Sequence, residues 1–241
     1  MLSWLPHPLA HAAAAFPDRH AVVMGHHVLT YGQLIQKVIK RSVDFYEAGL
    51  KAGDTVCLTG SPSVDWVIDF HAIGWCNACV CPLDDTLTKV ERQAALQVID
   101  PQHIFHVGKV YTGHETEVLK SNPDAPKWGL EHHRLMILTS GSTGKPKIIH
   151  LSTQQLFYSA MGSAIRLGHH LTDRWLACLP LHHIGGASIL LRCIWYGTAV
   201  ELVAPFDARL VAERLDSGEV TMVSMVPAML DRTLDARIES P

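Results

Sequence analysis

Three short polar boxes, each at the front of an amphipathic stretch, constrain this fold more than any other feature. Thr30-Tyr31-Gly32-Gln33, Thr88-Lys89-Val90-Glu91 and Ser152-Thr153-Gln154-Gln155 each set a hydroxyl three residues before Gln or Glu. At that spacing both side chains can satisfy backbone N–H groups that a first helical turn leaves free, so each box predicts a helix start. Behind the first box Leu34, Ile35, Val38, Ile39, Ser42, Phe45 and Tyr46 recur at helical spacing, and Gly49 ends the run. The second box opens a helix to about residue 100, and the third one to about residue 166. Residues 63–76 read as a buried helix, rich in Trp, Ile and Phe. Helices are also expected over 186–195 and 207–215, with a last one starting at Pro227.

Short apolar runs alternate with these helices, at 55–59, 78–81, 103–107, 135–138, 148–151, 175–179, 199–203 and 220–224. Strand–helix alternation of this kind predicts an α/β fold with largely parallel, helix-covered sheets. Residues 108–133 scatter Gly113, Asn122, Pro123, Pro126 and Gly129 among charges and lose periodicity. They read as a connecting segment. The expected organisation is a first α/β lobe with its connector over 1–133 and a second lobe over 134–241.

Composition removes several classes. With 48% hydrophobic and 18% charged residues the chain reads as globular, and a net charge of −3 without a basic run gives no reason to expect nucleic acid. No apolar stretch is long enough to span a bilayer, and the apolar start is broken by Pro6 and Pro8 without a basic leader, so a cytoplasmic location is expected. Cys57, Cys76, Cys79, Cys81, Cys178 and Cys193 lack the paired spacing of a zinc site and read as buried reduced thiols. The pairs His26-His27, His132-His133 and His169-His170 lack a metal-binding frame. No metal ligand is assigned.

The chemistry concentrates in Leu138-Thr139-Ser140-Gly141-Ser142-Thr143-Gly144-Lys145-Pro146-Lys147, set between the apolar runs 135–138 and 148–151. Glycines let backbone N–H groups approach closely, hydroxyls donate, and lysines bring charge, so the run suits an oligophosphate. Lys145 is followed by Pro146, which rules out a Walker A loop, and no dinucleotide fingerprint is present.

This run resembles the phosphate loop of the adenylate-forming superfamily, which includes acyl-CoA synthetases, luciferases and peptide-synthetase adenylation domains. Its pattern Thr-Ser-Gly-Ser/Thr-Thr-Gly-x-Pro-Lys is matched throughout 139–147. Leu29-Thr30-Tyr31-Gly32-Gln33-Leu34, Cys81-Pro82-Leu83-Asp84 and Leu179-Pro180-Leu181-His182-His183-Ile184-Gly185-Gly186 resemble further superfamily elements in the same order. Within the superfamily, 163–168, 173–176, 195–200 and 205–207 are similar to the o-succinylbenzoate–CoA ligases of menaquinone and phylloquinone synthesis.

The resemblance implies the N-terminal part of the adenylate-forming fold and an ATP-dependent acid–CoA ligase. A substrate carboxylate would attack the α-phosphate of ATP, pyrophosphate would leave, and the thiol of coenzyme A would displace AMP. Thr139, Ser140, Gly141, Ser142, Thr143, Gly144 and Lys147 would hold ATP phosphates with Mg2+, whereas Lys145 occupies a variable position. His183 would line the acid pocket. Arg192, nine positions on (192 − 183 = 9) and expected on a face neighbouring the helix start, would meet a second carboxylate of the acid. Two departures stand out: His182 where an aromatic residue is usual, and Ile148 where Gly is usual. The later magnesium, ribose and lysine elements of the superfamily are absent. Such an enzyme is roughly twice this length. A fragment that is inactive alone is therefore expected, truncated before the C-terminal lid. Alternative readings are a ligase for another aromatic or fatty acid, and a non-catalytic nucleotide-binding or assembly module. An unrelated phosphate-binding α/β protein is a third. Self-association is left open.

Overall fold

All three polar boxes close as helix caps in the computed structural model, which describes residues 3–109, 125–140 and 146–238. In the first, Gln33 N donates to Thr30 Oγ1 at 3.2 Å and Thr30 N donates to Gln33 Oε1 at 3.0 Å. Glu91 and Gln155 make the same reciprocal pairs with Thr88 and Ser152.

The chain runs β1 (Trp4–Pro6), α1 (Pro8–Ala15), β2 (His20–Met24), β3 (His27–Thr30), α2 (Tyr31–Glu47), β4 (Thr55–Thr59) and α3 (Val64–Trp75). It continues through β5 (Cys79–Pro82), α4 (Lys89–Ile99), β6 (His103–His106), β7 (Lys127–Gly129), β8 (His133–Ser140), β9 (Pro146–Ser152) and α5 (Thr153–Leu167). The last elements are β10 (Arg174–Ala177), α6 (Ile184–Tyr196), β11 (Ala199–Leu202), α7 (Ala208–Asp216), β12 (Met222–Val223) and α8 (Pro227–Ile238).

Two five-stranded sheets form, ordered β6-β4-β5-β8-β9 and β12-β10-β11-β2-β3. In each, four strands are parallel and one edge strand, β9 or β3, is antiparallel. The expectation of largely parallel sheets flanked by helices therefore holds. Each sheet takes strands from both sides of residue 133, so the expected lobe boundary does not coincide with the division between sheets.

Helices tie the sheets together. α3 touches β4 and β5 of one sheet and β2 of the other, and α6 packs on β10 and β11 while touching α1 and α5. The main core runs through both sheets, from Val56 and Leu135 to Val22 and Val200. Tyr31, at the front of α2, is fully buried, and its hydroxyl sits 2.8 and 2.7 Å from the carbonyl oxygens of Cys193 and Thr198. The one hydroxyl hydrogen serves one of these carbonyls at a time, and Cys193 O also accepts from Gly197 N and Thr198 N at the end of α6.

One expectation is corrected. The connector expected over 108–133 contains β7, which pairs antiparallel with β1. Trp128 of β7 is buried and donates from its indole to Gly74 O at 3.1 Å. Three residues are too few to show a period, so a buried Trp was the only signal. All six cysteines are free and buried, as expected. Burial pushes Cys76 and Cys79 up to about 12, well away from thiolate reactivity.

Candidate active site

Parallel strands expose their carboxyl ends on one side of a sheet, and ligands of open α/β sheets bind there. In this protein the exits of β4, β5, β8, β10 and β11 meet around one cleft with two cavities. One, of about 390 Å³, is lined by Leu83, Asp84, Leu138, Thr139, His182 and His183 among others. The other, of about 440 Å³, is lined by Gly60, Ser61, the 83–86 and 178–182 segments, 204–206 and Met229. Leu83, Asp84 and His182 belong to both.

Two aspartates after β5 organise the cleft. Asp85 Oδ1 accepts from Gly60 N at 2.6 Å, tying the exit of β4 to that of β5. Gly60 holds a φ of +118°, and a Cβ there would lie 2.9 Å from Val107 Cβ, so only glycine fits this turn. Asp84 Oδ1 accepts from Thr86 N at 2.9 Å and Thr86 Oγ1 at 2.8 Å, while its Oδ2 lies 3.6 Å from His182 Nε2. Partial burial pushes the Asp84 carboxyl up. The Thr86 bonds and the two neighbouring imidazoles outweigh that effect, and the group sits below the usual carboxylate range. Burial lowers the His182 pKa and outweighs the pull of Asp84.

His183 is the N-cap of α6, with an extended backbone and no side-chain capping bond. Its imidazole packs edge-on against His182 at 4.3 Å between centroids. The positive end of the α6 dipole thus faces the cleft. Gly185 and Gly186 permit this placement. A Cβ on Gly186 would fall 2.4 Å from Pro180 O and 2.9 Å from Leu179 O, both backbone atoms. Gly186→Ala is accordingly expected to push α6 off the 179–180 segment and cost about 2–3 kcal/mol, read as a shifted midpoint in urea. A cost below about 0.5 kcal/mol would show that the segment yields freely.

The sequence-predicted residues divide into three groups. Thr139 and Ser140 end β8, opposite Lys147 and Pro146 of β9, and Thr139 Oγ1 donates to Lys147 O at 3.3 Å. With His183, Thr139 faces the 390 Å³ cavity. Gly141, Ser142, Thr143, Gly144 and Lys145 lie outside the described residues.

Arg192 stands apart from both groups. Nine residues are about two and a half turns, which carry it half-way round α6 from His183 rather than beside it. It lines a separate cavity of about 110 Å³ with Gln155, Ser159, Ile184 and Ser188. Its guanidinium lies 5.4 Å from the Trp175 ring centroid, and its Nε is buried without a hydrogen-bond partner among the described residues. Ile148 packs against the Cys57–Cys79–Cys81 cluster, which gives an apolar side chain a place at the loop exit. Asp85 was not foreseen, since its role appears only when two strand exits meet.

A profile of the AMP-binding enzyme family matches residues 9–240. This chain belongs to that family. A 2-succinylbenzoate–CoA ligase of Bacillus cereus (strain AH820) is 29% identical over 98% of this chain and 51% of its own length. The AMP-binding chain thus spans about half the length of the curated relatives it matches. A structure of o-succinylbenzoate CoA synthetase from Bacillus subtilis with the acyl-adenylate intermediate superposes with a TM-score of 0.85 at 26% identity, over 97% of this chain and 65% of that one. Its complex with ATP and magnesium gives 0.86 at 25% identity, over 97% and 52%. The resemblance read from 139–147 and the three other elements is therefore that of the family, and the fold is the N-terminal portion of the adenylate-forming fold.

Among the described residues no group of three His, Cys, Asp or Glu could hold a metal ion, and no helix is long and apolar enough to cross a membrane.

Proposed function

We propose that this chain carries the ATP-binding, acid-activating half of an acid–CoA ligase whose acid is o-succinylbenzoate. One observation carries the reading: the end of β8 with Thr139 and the front of α6 with His183 open onto the same cavity. Thr139, Ser140, Gly141, Ser142, Thr143, Gly144 and Lys147 cradle the β- and γ-phosphates, and magnesium arrives on the nucleotide. The acid lies beside His183, so its carboxylate can attack the α-phosphate. Pyrophosphate leaves with the P–O bonding pair, and the thiol of coenzyme A later displaces AMP. Positioning and charge neutralisation supply most of the acceleration in such a step. The 29% identity to a 2-succinylbenzoate–CoA ligase supports the choice of acid. Arg192 is the candidate for the second carboxylate; it lines the α5–α6 cavity with Ile184, the residue that follows His183.

Calorimetric titration with ATP and magnesium tests the cradle. Lys147→Ala is expected to weaken binding about tenfold or more, near 1.4 kcal/mol, as one charge-assisted contact is lost. Unchanged affinity would remove Lys147 from the site. o-Succinylbenzoate-dependent ATP–pyrophosphate exchange is expected to stay at background for the chain alone. Robust exchange would overturn the view that the other half of the fold is needed.

A further inference from the structure

Two histidines meet on the β8–β9 hairpin without a motif to announce them. His133 opens β8 and His150 lies on β9, seventeen positions on (150 − 133 = 17). Both are exposed, and their ring centroids are 5.0 Å apart at an interplanar angle of 53°. A β-bulge brings them together. Leu135 pairs with Leu151 and Met136 with His150, but Ser152 pairs with His133 rather than Arg134. Directly opposed residues in an antiparallel pair share a face, as do residues two apart on one strand. The extra residue therefore moves His133 onto the face of Ser152 and His150, whereas in unbroken register it would point away. Arg134, the residue passed over, turns inward, where it is buried and its Nε donates to Thr153 Oγ1 at 3.2 Å. Further along the histidine face, Met136 and Ile148 pack against the Cys57–Cys79–Cys81 cluster with Ala95 and Ile99 of α4. That cover stops short of His150, so both rings stand open to solvent.

This spacing suits a metal ion. A zinc-bound imidazole nitrogen sits about 2.0 Å from the metal, so two such rings at a tetrahedral angle have centroids about 5 Å apart. We propose that His133 and His150 chelate one transition-metal cation of the zinc and copper class, with water in the remaining positions. Two protein ligands make the site, in keeping with the lack of a three-ligand group among the described residues. Magnesium does not suit it, since that ion takes oxygen ligands rather than imidazole. His182 and His183, at 4.3 Å, form another close pair, but they sit at the positive end of the α6 dipole, which opposes a cation. The consequence is local. β9 is an edge strand, with β8 as its one strand neighbour among the described residues. β8 leads into the run 139–147 and β9 leads out of it, with Lys147 three residues before His150. A cation held across the two strands fastens both sides of that run to each other, and with them the backbone of Lys147. The site lines neither cavity of the cleft and is independent of the choice of acid.

The test titrates zinc alone into the metal-free chain by calorimetry, without nucleotide. One zinc per chain is expected at the tightest site. His133→Gln and His150→Gln should each weaken it about tenfold or more, as a chelate reduced to one imidazole does. Copper(II) should bind more tightly than zinc, and magnesium not measurably. Zinc should raise the urea midpoint and slow amide exchange over 147–152 in the parent but not in the double variant, because a ligand held only by the folded hairpin stabilises it by mass action. His26→Gln with His27→Gln, and separately His182→Phe, should leave zinc binding unchanged. Both hairpin side chains are exposed, so without metal their variants should keep the parent's circular dichroism and urea midpoint. Three results would overturn the inference: no heat of binding at millimolar zinc, parent-like zinc affinity in His133→Gln or His150→Gln, or loss of zinc binding in His182→Phe with both hairpin histidines intact. Zinc binding is read without turnover. Failure of the o-succinylbenzoate reading would therefore leave this result untouched.

Discussion

Replacing Glu201 by alanine is expected to destabilise the fold by about 3–5 kcal/mol, the cost of breaking a buried ion pair from one side. Glu201 sits on β11, the central strand of its sheet, and is 3% exposed. Its carboxylate takes Arg174 Nη1 at 3.1 Å from neighbouring β10 and both Nε and Nη2 of Arg214 from α7. Glu219 shares both arginines but is far more exposed, so it cannot replace the buried charge. These bonds hold the Arg214 guanidinium well above its ordinary pKa. Removing Glu201 leaves two guanidinium groups facing each other in a half-buried gap, and it unfastens α7 from the sheet. The exit of β11 lines the cleft at 204–206, so ATP affinity should fall with stability. Urea unfolding checks the prediction. The double variant Glu201→Leu, Arg214→Leu should recover much of the loss, because it leaves no unpaired buried carboxylate partner on α7. A single-variant cost below about 1 kcal/mol would show that Glu219 alone suffices.

The same network marks the boundary of what the sequence conveys. The three capping boxes are local, and the local text specifies them fully. Strand existence is also local, since an apolar run such as 55–59 has few other uses. Strand partners are not local: β2, at residues 20–24, pairs with β11, at 199–202, and nothing near either run says so. Glu201 looks like a surface charge at an edge until β10 and α7 close over it. The site divides in the same way. Thr139 and His183, which line one cavity, each sit in a dense motif, as does Lys147. Asp85 binding Gly60, and Asp84 reaching His182, depend on exits of strands far apart in the chain. Arg192 follows the helix period: eight residues from Ile184 bring the two to one cavity, whereas nine from His183 carry it half a turn away.

Mild acid should weaken the protein more steeply than its surface charge suggests. His71 is buried, and burial lowers its pKa to about 3. His7 is buried completely and is also held well below its ordinary value, first by burial and then by His71 and Arg134. Both groups are depressed, so their contribution is present above the unfolded value near 6.5 and is lost as pH falls toward the folded value. Below 6.5 the unfolded chain binds two protons that the native state refuses. Asp69 works the other way. Burial raises it to about 7 despite Arg41 Nε at 3.1 Å, which gives neither carboxylate oxygen a well-directed hydrogen bond. Its contribution is present below the unfolded value and is lost as pH rises through about 7. Between about pH 4 and 6.5 two protons favour the unfolded state and one favours the native state. The net slope is about 1.4 kcal/mol per pH unit, with stability rising with pH, and His182 adds in the same direction. Stability should therefore peak near pH 6.5 and fall by about 3 kcal/mol by pH 4.5. Urea midpoints over that range measure it. His71→Leu removes one proton from the count and should reduce the slope by about 1.4 kcal/mol per unit. An unchanged slope in that variant would mean that His71 is protonated in the native state, with a counter-charge or water reaching it among the buried side chains of α3.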